Sequence, residues 1–320
     1  MRCALGYTSM LRGRRSGALG RSAWVRSLRG LLVLDTFVTV YLFLGGCAAA
    51  VVLVTCAWSL AVRAACGRRR PAPPVFGRLR VRCLLAGFVL LVLAVLCLLF
   101  DLGRPQLFWL LFARPTSSLI SIGSFLLMAT LLVSGFLLGA SVPGAPRSSR
   151  RVLCSAEVVC CALSAGVMLY TGLYMACLEA VPLWNNPALP VLFALSSLSS
   201  GLSVVLIAAS FADDRFLLAA DCRRLRLAHA VSLAGEMVAV GAYLALAWGD
   251  GFARPGLEAL LSPNDLGSWF VVGFLGLGVA LPLGAEVFAA MARRPMEAIP
   301  LDALCIIGGL VLRFCVVIAA

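Results

Sequence analysis

Apolar runs long enough to cross a lipid bilayer recur from near residue 31 to the end of this chain, and nothing else in the sequence restricts its fold as strongly. A membrane-spanning helix needs about 20 predominantly apolar residues, and in hydrocarbon its backbone satisfies all of its own hydrogen bonds. The composition agrees: 62% of residues are hydrophobic and only 13% charged, where soluble domains carry about a quarter charged. The chain is read as an all-α integral membrane protein, which removes soluble enzymes from consideration.

Charge, proline or glycine ends each run, giving eight transmembrane helices at about 31–62, 82–100, 118–140, 152–178, 188–211, 227–249, 268–291 and 300–320. Residues 1–30 form a basic N-terminal arm with seven arginines. The Gly13-Arg14-Arg15-Ser16 stretch only faintly resembles a twin-arginine signal, and the apolar stretch that follows is a full span. It reads as a retained helix. Residues 31–178 and 188–320 then make two four-helix bundles. An internal repeat is expected between these halves, because Leu44-Gly45-Gly46-Cys47-Ala48-Ala49-Ala50 answers Leu195-Ser196-Ser197-Leu198-Ser199-Ser200-Gly201 at an offset of 151 residues. Such runs of small residues also let membrane helices approach closely.

All 27 basic residues are arginine, and their placement sets the topology. The loops after spans one, three, five and seven hold sixteen arginines, against three in the loops after spans two, four and six. By the positive-inside rule the odd-numbered loops are cytoplasmic, with the other loops and both termini outside. The arginines of the N-terminal arm argue the other way. No base-reading motif accompanies these charges, so nucleic acid is not an expected partner; the lipid bilayer is.

The residue inventory excludes several redox groups. A haem held by two histidines needs a pair, and His229 is the only histidine. The thirteen cysteines show no C-x-x-C spacing and sit mostly inside apolar runs, where cysteine behaves as a small hydrophobe. No haem, no iron–sulfur cluster and no metal site is expected in this chain.

Ionisable residues within the spans cost about 2.5–3.5 kcal/mol each at mid-membrane, so they face a partner, water or a ligand. Glu236, Glu286 and Arg313 lie deepest and are candidates for a proton relay or a charge pair, and Asp35, near the outer end of the first span, is a fourth. Glu157 reads equally well as interfacial, and His229 as a headgroup-level residue beside Arg226. Tyr41 and Tyr170 each bring a hydroxyl that needs a partner in an apolar setting. On the outer side, Asp101 and Arg104 are one helical turn apart, and Trp184-Asn185-Asn186 joins spans four and five. Asn186, Ser118 and Asn264 are placed to cap helices.

Ordered motifs then resemble a known family. Tyr41-Leu-Phe-Leu-Gly-Gly46, Leu-Phe-Asp101-Leu-Gly-Arg-Pro105, Arg114-Pro-Thr-Ser-Ser with Gly123-Ser124, Leu169-Tyr-Thr-Gly172, Pro182-Leu-Trp-Asn185, Leu189-Pro-Val-Leu-Phe193 and Leu312-Arg-Phe314 resemble the NrfD/PsrC family of nitrite and polysulfide reductase membrane subunits. The resemblance spans about residues 35–318. It implies a bacterial cytoplasmic-membrane subunit that exchanges electrons between menaquinone or ubiquinone and an extrinsic 4Fe-4S ferredoxin-like subunit. That partner in turn serves a catalytic subunit, a molybdopterin enzyme or a multihaem cytochrome. It also implies a quinone site near the outer face among the first four helices, with Tyr170 at the family's fourth-helix tyrosine and Tyr41 where some members carry histidine. Asp101, Arg104, Trp184 and Asn185 become partner-facing or site-shaping residues. Such a subunit is not catalytic alone.

Two other classes fit the residues. A two-repeat secondary transporter predicts broken helices with polar mid-depth residues in matching halves; glycine and proline interrupt the seventh span (Gly276, Gly278, Pro282, Gly284) without a counterpart in the third. A structural anchor without a working quinone site shares every feature of the first reading.

Overall fold

The computed structural model describes residues 18–66, 74–101, 119–142, 149–178, 181–212, 218–262, 265–292 and 299–319, with side chains described from Val38 onward apart from Cys66, Asp101, Ile120 and Asp265. The described residues are helical apart from short turns. In order run α1 (Ala18–Cys66), α2 (Pro74–Asp101), α3 (Leu119–Gly139), α4 (Arg150–Ala176), α5 (Leu189–Ser210), α6 (Ala219–Gly249), a short α7 (Arg254–Leu261), α8 (Asp265–Ser268), a π-helix (Trp269–Ala280), α9 (Leu281–Met291) and α10 (Ile299–Ile318). Helix α8, the π-helix and α9 run on as one span, so among the described residues eight stretches are long and apolar enough to cross a bilayer, as the sequence predicts.

Burial separates the helices into inner and outer sets. In the most apolar stretch of α1, 78% of residues are buried by protein, and 61% in α5; the other spans lie between 28% and 44%. Helices α1 and α5 therefore form the axis of the bundle, and the rest turn large apolar side chains such as Phe100, Leu132 and Phe288 to lipid. The sequence explains the choice. The two small-residue runs lie on these two helices and pack on each other: a side chain at Gly46 would strike Ser197, and one at Gly201 would strike Ala50. Close backbone approach through small residues is the chief attraction open to helices already surrounded by apolar lipid. Around this axis α1 packs on α2 and α4, α3 on α4, α5 on α6, and α10 on both α5 and the π-helix.

Three features differ from the expected spans. Helices α2 and α6 begin at Pro74 and Ala219 rather than near 82 and 227, so arginine-bearing turns expected as loops are helical. Helix α7 is an additional short amphipathic helix after α6, with Pro255 in its first turn. The seventh span widens into π-turns before Pro282, and the Leu281 N–H bonds to the Gly276 carbonyl five residues back. Proline has no N–H for the carbonyl four residues earlier, and its ring crowds that carbonyl; a wider turn relieves both. Gly278 lies on Gly308 of α10, so that a Cβ there would come 2.7 Å from the Gly308 Cα. This crossing draws the seventh and eighth spans together.

Candidate functional site

Polar residues gather in three places. The first is at the N-terminal ends of α1 and α3 and the C-terminal end of α4. Tyr41 and Tyr170, on different helices, are both buried, and their phenols lie close together. The Tyr170 ring packs against α3 at Gly123, where any Cβ would overlap the phenol carbon and hydroxyl. One turn on, Tyr174 tilts towards Tyr170 with ring centroids 6.0 Å apart. Ser121 and Ser124 flank Gly123 and are buried as well. Glycine at 123 is thus a notch for an aromatic ring. The neighbouring Gly172 does a different task, keeping α4 against the backbone of α5 at Pro190.

The second place is a chain of polar side chains from the arginine-rich ends of α6, α9 and α10 towards mid-membrane. Arg226 holds Asp302 through two bonds of 2.6 and 2.8 Å, and its Nη1 also lies 3.3 Å from Glu286. Glu286 Oε1 meets His229 Nδ1 at 2.6 Å, and His229 Nε2 meets Ser203 Oγ at 3.0 Å. Cys305 Sγ lies 3.6 Å from the same ring nitrogen. One turn along α5 from Ser203, Ser199 donates to Glu236 Oε2 at 2.8 Å. Ser196 neighbours Glu236 too, and accepts from Arg313 at 3.3 Å. Arg313 further donates to Ser197 at 2.6 Å and to the carbonyls of Gly309 and Phe193. The Phe43 and Phe193 rings lie 5.4 and 5.1 Å from its guanidinium carbon, a favourable cation–π distance.

The donor atoms of His229, Glu286 and Asp302 lie within 4.8 Å of one another, a spacing that suits a small cation. The cation in place is the Arg226 guanidinium, which already engages both Asp302 oxygens.

The third place is the arginine-rich end of the first four helices. Glu157 of α4 is fully buried, and its Oε1 accepts from Arg63 at 3.0 Å, Arg80 at 2.8 Å and Ser59 at 2.7 Å. Glu157 is therefore an interior ion-pair residue rather than an interfacial one.

Several expected residues are placed differently. His229 is not at headgroup level: it is fully buried, with both ring nitrogens engaged. Arg313 is held by neutral acceptors rather than by a bonded carboxylate. Trp184 is half-buried and its indole N–H donates to the Val316 carbonyl at 2.8 Å, tying the loop between α4 and α5 to α10; Asn185 beside it is exposed. Asn186 does not cap α5, whose N-cap is Ala188 without a side-chain bond; it closes the turn ahead of that helix, accepting from the Ala188 N–H while donating to the Tyr243 carbonyl. Arg104, Ser118 and Asn264 lie outside the described residues, as do the side chains of Asp35 and Asp101.

Sequence reasoning overlooked Asp302, Arg226, Ser199 and Ser203 as site residues. The signal for the serines was present, because Ser196, Ser199, Ser200 and Ser203 share one helical face at i, i+3, i+4 and i+7 spacing.

Comparison with known proteins places these features in context. The family profile described as "Polysulphide reductase, NrfD" matches residues 24–320. The sequence is 28% identical over 311 residues to "Protein NrfD" of Escherichia coli (strain K12), covering 90% of this protein and 95% of that one. It is 27% identical over 304 residues to the C subunit of polysulfide reductase from Wolinella succinogenes, covering 88% and 92% respectively. A "Protein NrfD homolog" of Haemophilus influenzae is 28% identical over 228 residues, covering 63% of this protein and 69% of that one.

Proposed function

Because this chain belongs to the NrfD family of polysulphide reductase membrane subunits, we propose that it is the quinone-interacting subunit of a respiratory oxidoreductase. It is a multi-pass protein of the bacterial cytoplasmic membrane. In this reading it passes electrons between menaquinone or ubiquinone and an extrinsic 4Fe-4S ferredoxin-like subunit, which serves a molybdopterin or multihaem catalytic subunit.

The observation that carries the reading is the meeting of Tyr41 and Tyr170 over the Gly123 notch. A quinone headgroup requires a flat apolar bed and hydrogen-bonding groups for its oxygens. Two phenols, each able to donate or accept, meet the second requirement, and the Gly123 notch seats the Tyr170 ring that offers one of them. When bound, a quinol supplies two electrons and two protons. Tyr170 and Tyr41 would hold its oxygens, and the buried surroundings would keep bulk water away. Asn185, exposed on the outer loop, and Trp184, which fixes that loop to α10, suit a docking face for the extrinsic partner; we assign Asp101 and Arg104 to the same face. A haem-free reading is supported by the engagement of both nitrogens of the single histidine.

We assign the Glu286–His229–Ser203 and Glu236–Ser199 links to proton relay, with Arg313 as a fixed positive end. Asp35 is assigned to the outer side of the same traffic. Substituting Glu286→Gln in the assembled complex should abolish quinol-linked proton uptake in proteoliposomes while leaving binding of a quinol analogue unchanged. Loss of both together would assign Glu286 to structure instead.

The site itself is tested by titrating the detergent-purified protein with a quinol-analogue inhibitor and following intrinsic fluorescence. Saturation near one site per chain is expected. Tyr170→Phe should weaken binding about fivefold, the equivalent of one hydrogen bond of about 1 kcal/mol, and Gly123→Leu should abolish it. No saturable binding by folded protein would favour the structural anchor, and solute uptake by the protein alone in proteoliposomes would favour the transporter.

A further inference from the structure

On the arginine-rich side, a crevice of about 430 Å³ opens between α1 and α6 with α5 as its floor. It exists because α1 carries Ala57, Ala61 and Ala65 at every fourth position, so a whole stripe of the helix offers only methyl groups. Helix α1 packs on α5, and α5 on α6, which leaves a seam between α1 and α6. Leu198 and Leu202 form its floor and Leu225 its far wall. A water molecule takes ~30 Å³ and needs two to four polar partners, which this lining does not offer. The seam suits an apolar occupant.

Two polar features decide what that occupant is. Trp58 lines the seam with 8% of its surface exposed, its ring edge-on to Phe76 at 5.1 Å, and its indole N–H is buried with no partner. A buried donor left unpaired costs about 1–3 kcal/mol, so it marks a missing acceptor. At the mouth, Asp221 and Arg224 lie 3.5 Å apart, the arginine side chain being 81% exposed. Arg223, next to it in sequence and outside the lining, is exposed as well and adds a second positive charge to this turn of α6.

We infer that this seam is a binding site for one anionic phospholipid of the cytoplasmic leaflet. An acyl chain fills the alanine groove, an ester carbonyl accepts from the Trp58 indole, and the headgroup phosphate lies against Arg224. The acyl chain supplies a filler and the ester carbonyl the acceptor that Trp58 lacks, while the phosphate gives the exposed Arg224 an anion besides Asp221. Basic pockets between membrane helices on the cytoplasmic side recognise anionic headgroups on this principle. The inference is independent of the quinone reading, whose site lies at the opposite ends of the helices.

The full chain is reconstituted into nanodiscs containing a small fraction of phosphatidylglycerol or phosphatidylcholine with brominated acyl chains. Quenching is read as the difference between wild type and Trp58→Phe, which isolates Trp58. The anionic lipid should quench Trp58 at about fivefold lower mole fraction than the zwitterionic one, the effect of one arginine near a membrane surface. Arg224→Gln should remove that preference without lowering Tm. Ala61→Phe should fill the seam and protect Trp58 from both lipids; if that chain does not fold, Ala57→Leu serves the same purpose. Equal quenching by the two lipids, or a preference that survives Arg224→Gln, would overturn the proposal. Displacement of the brominated lipid by a short-chain quinone would also overturn it, making the seam a quinone site.

Discussion

The arginine-rich ends of the two halves solve the same problem with opposite charge balances. At the first, one carboxylate faces two guanidinium groups, Glu157 with Arg63 and Arg80. At the second, one guanidinium faces two carboxylates, Arg226 with Asp302 and Glu286, and a histidine completes the group. In both, one glutamate oxygen receives every contact, while Oε2 of Glu157 and of Glu286 is buried without a partner. With a neutral imidazole the first group carries one excess positive charge and the second one excess negative charge. A single added proton neutralises the second group and worsens the first. The first is a clamp joining α1, α2 and α4. The second has room for a proton, which is why relay is assigned to it and not to Glu157.

This contrast is open to direct attack, beginning with the clamp. Glu157→Ala leaves two arginines facing each other in the interior, and removing one partner of a buried pair costs about 3–5 kcal/mol. Denaturant unfolding in mixed micelles should show that loss, and a wild-type midpoint would show that the clamp does no clamping. Replacing the whole group by methionine, at positions 63, 80 and 157 together, should recover most of the stability, since well-packed apolar substitutes for buried ion pairs are often neutral.

Arg226→Gln should cost less, about 2 kcal/mol, because protons can replace the lost positive charge, which a buried pair broken on the other side cannot arrange. Its Tm should be closer to wild type at pH 5 than at pH 8, whereas Glu157→Ala should show no such recovery. The same pH response in both variants would erase the proposed difference. Ser203→Ala is the mildest test. It removes one hydrogen bond to His229 and should cost about 1 kcal/mol, with proton uptake slowed by more than the stability change explains.

Much of the fold was legible because hydrocarbon leaves few choices: the eight spans follow from apolar length alone. The inner extensions of α2 and α6 were not, because arginine-rich turns look like cytoplasmic loops. Arg80 and Arg226 stay helical and point inward because Glu157 and Asp302 wait for them on other helices, and no local pattern announces a partner 77 or 76 residues away. The misplacement of His229 has the same origin. Counted from a loop ending at Arg226 it lies at the surface, but counted from Ala219 it lies ten residues into the helix. Asp302 stands in the first turn of α10, where an acid also suits the helix dipole and so carries no signal of its own. The serines of α5 were readable as small packing residues, and only their partners on α6 and α10 reveal them as a polar ladder. The tyrosine pair came from family likeness; the glycine notch that joins its rings to α3 became visible only with α3 in place.

Arg313 bears on a property that none of these tests touches, the insulation of the membrane. Its hydrogen bonds all go to neutral groups, between two phenyl rings and against Gly46 at the axis of the bundle. Arginine cannot be deprotonated in a protein, so a permanent positive charge stands where the serine ladder ends. Sodium, potassium or a stray hydronium ion reaching that point meets like charge in a low-dielectric setting, the barrier by which pores with a lone arginine exclude cations. A membrane holding about 100 mV stores about 2.3 kcal/mol per charge. A polar chain reaching mid-bilayer would discharge it if it ran through, and in the proposed relay the guanidinium would be the stopper that keeps such a chain from becoming a leak.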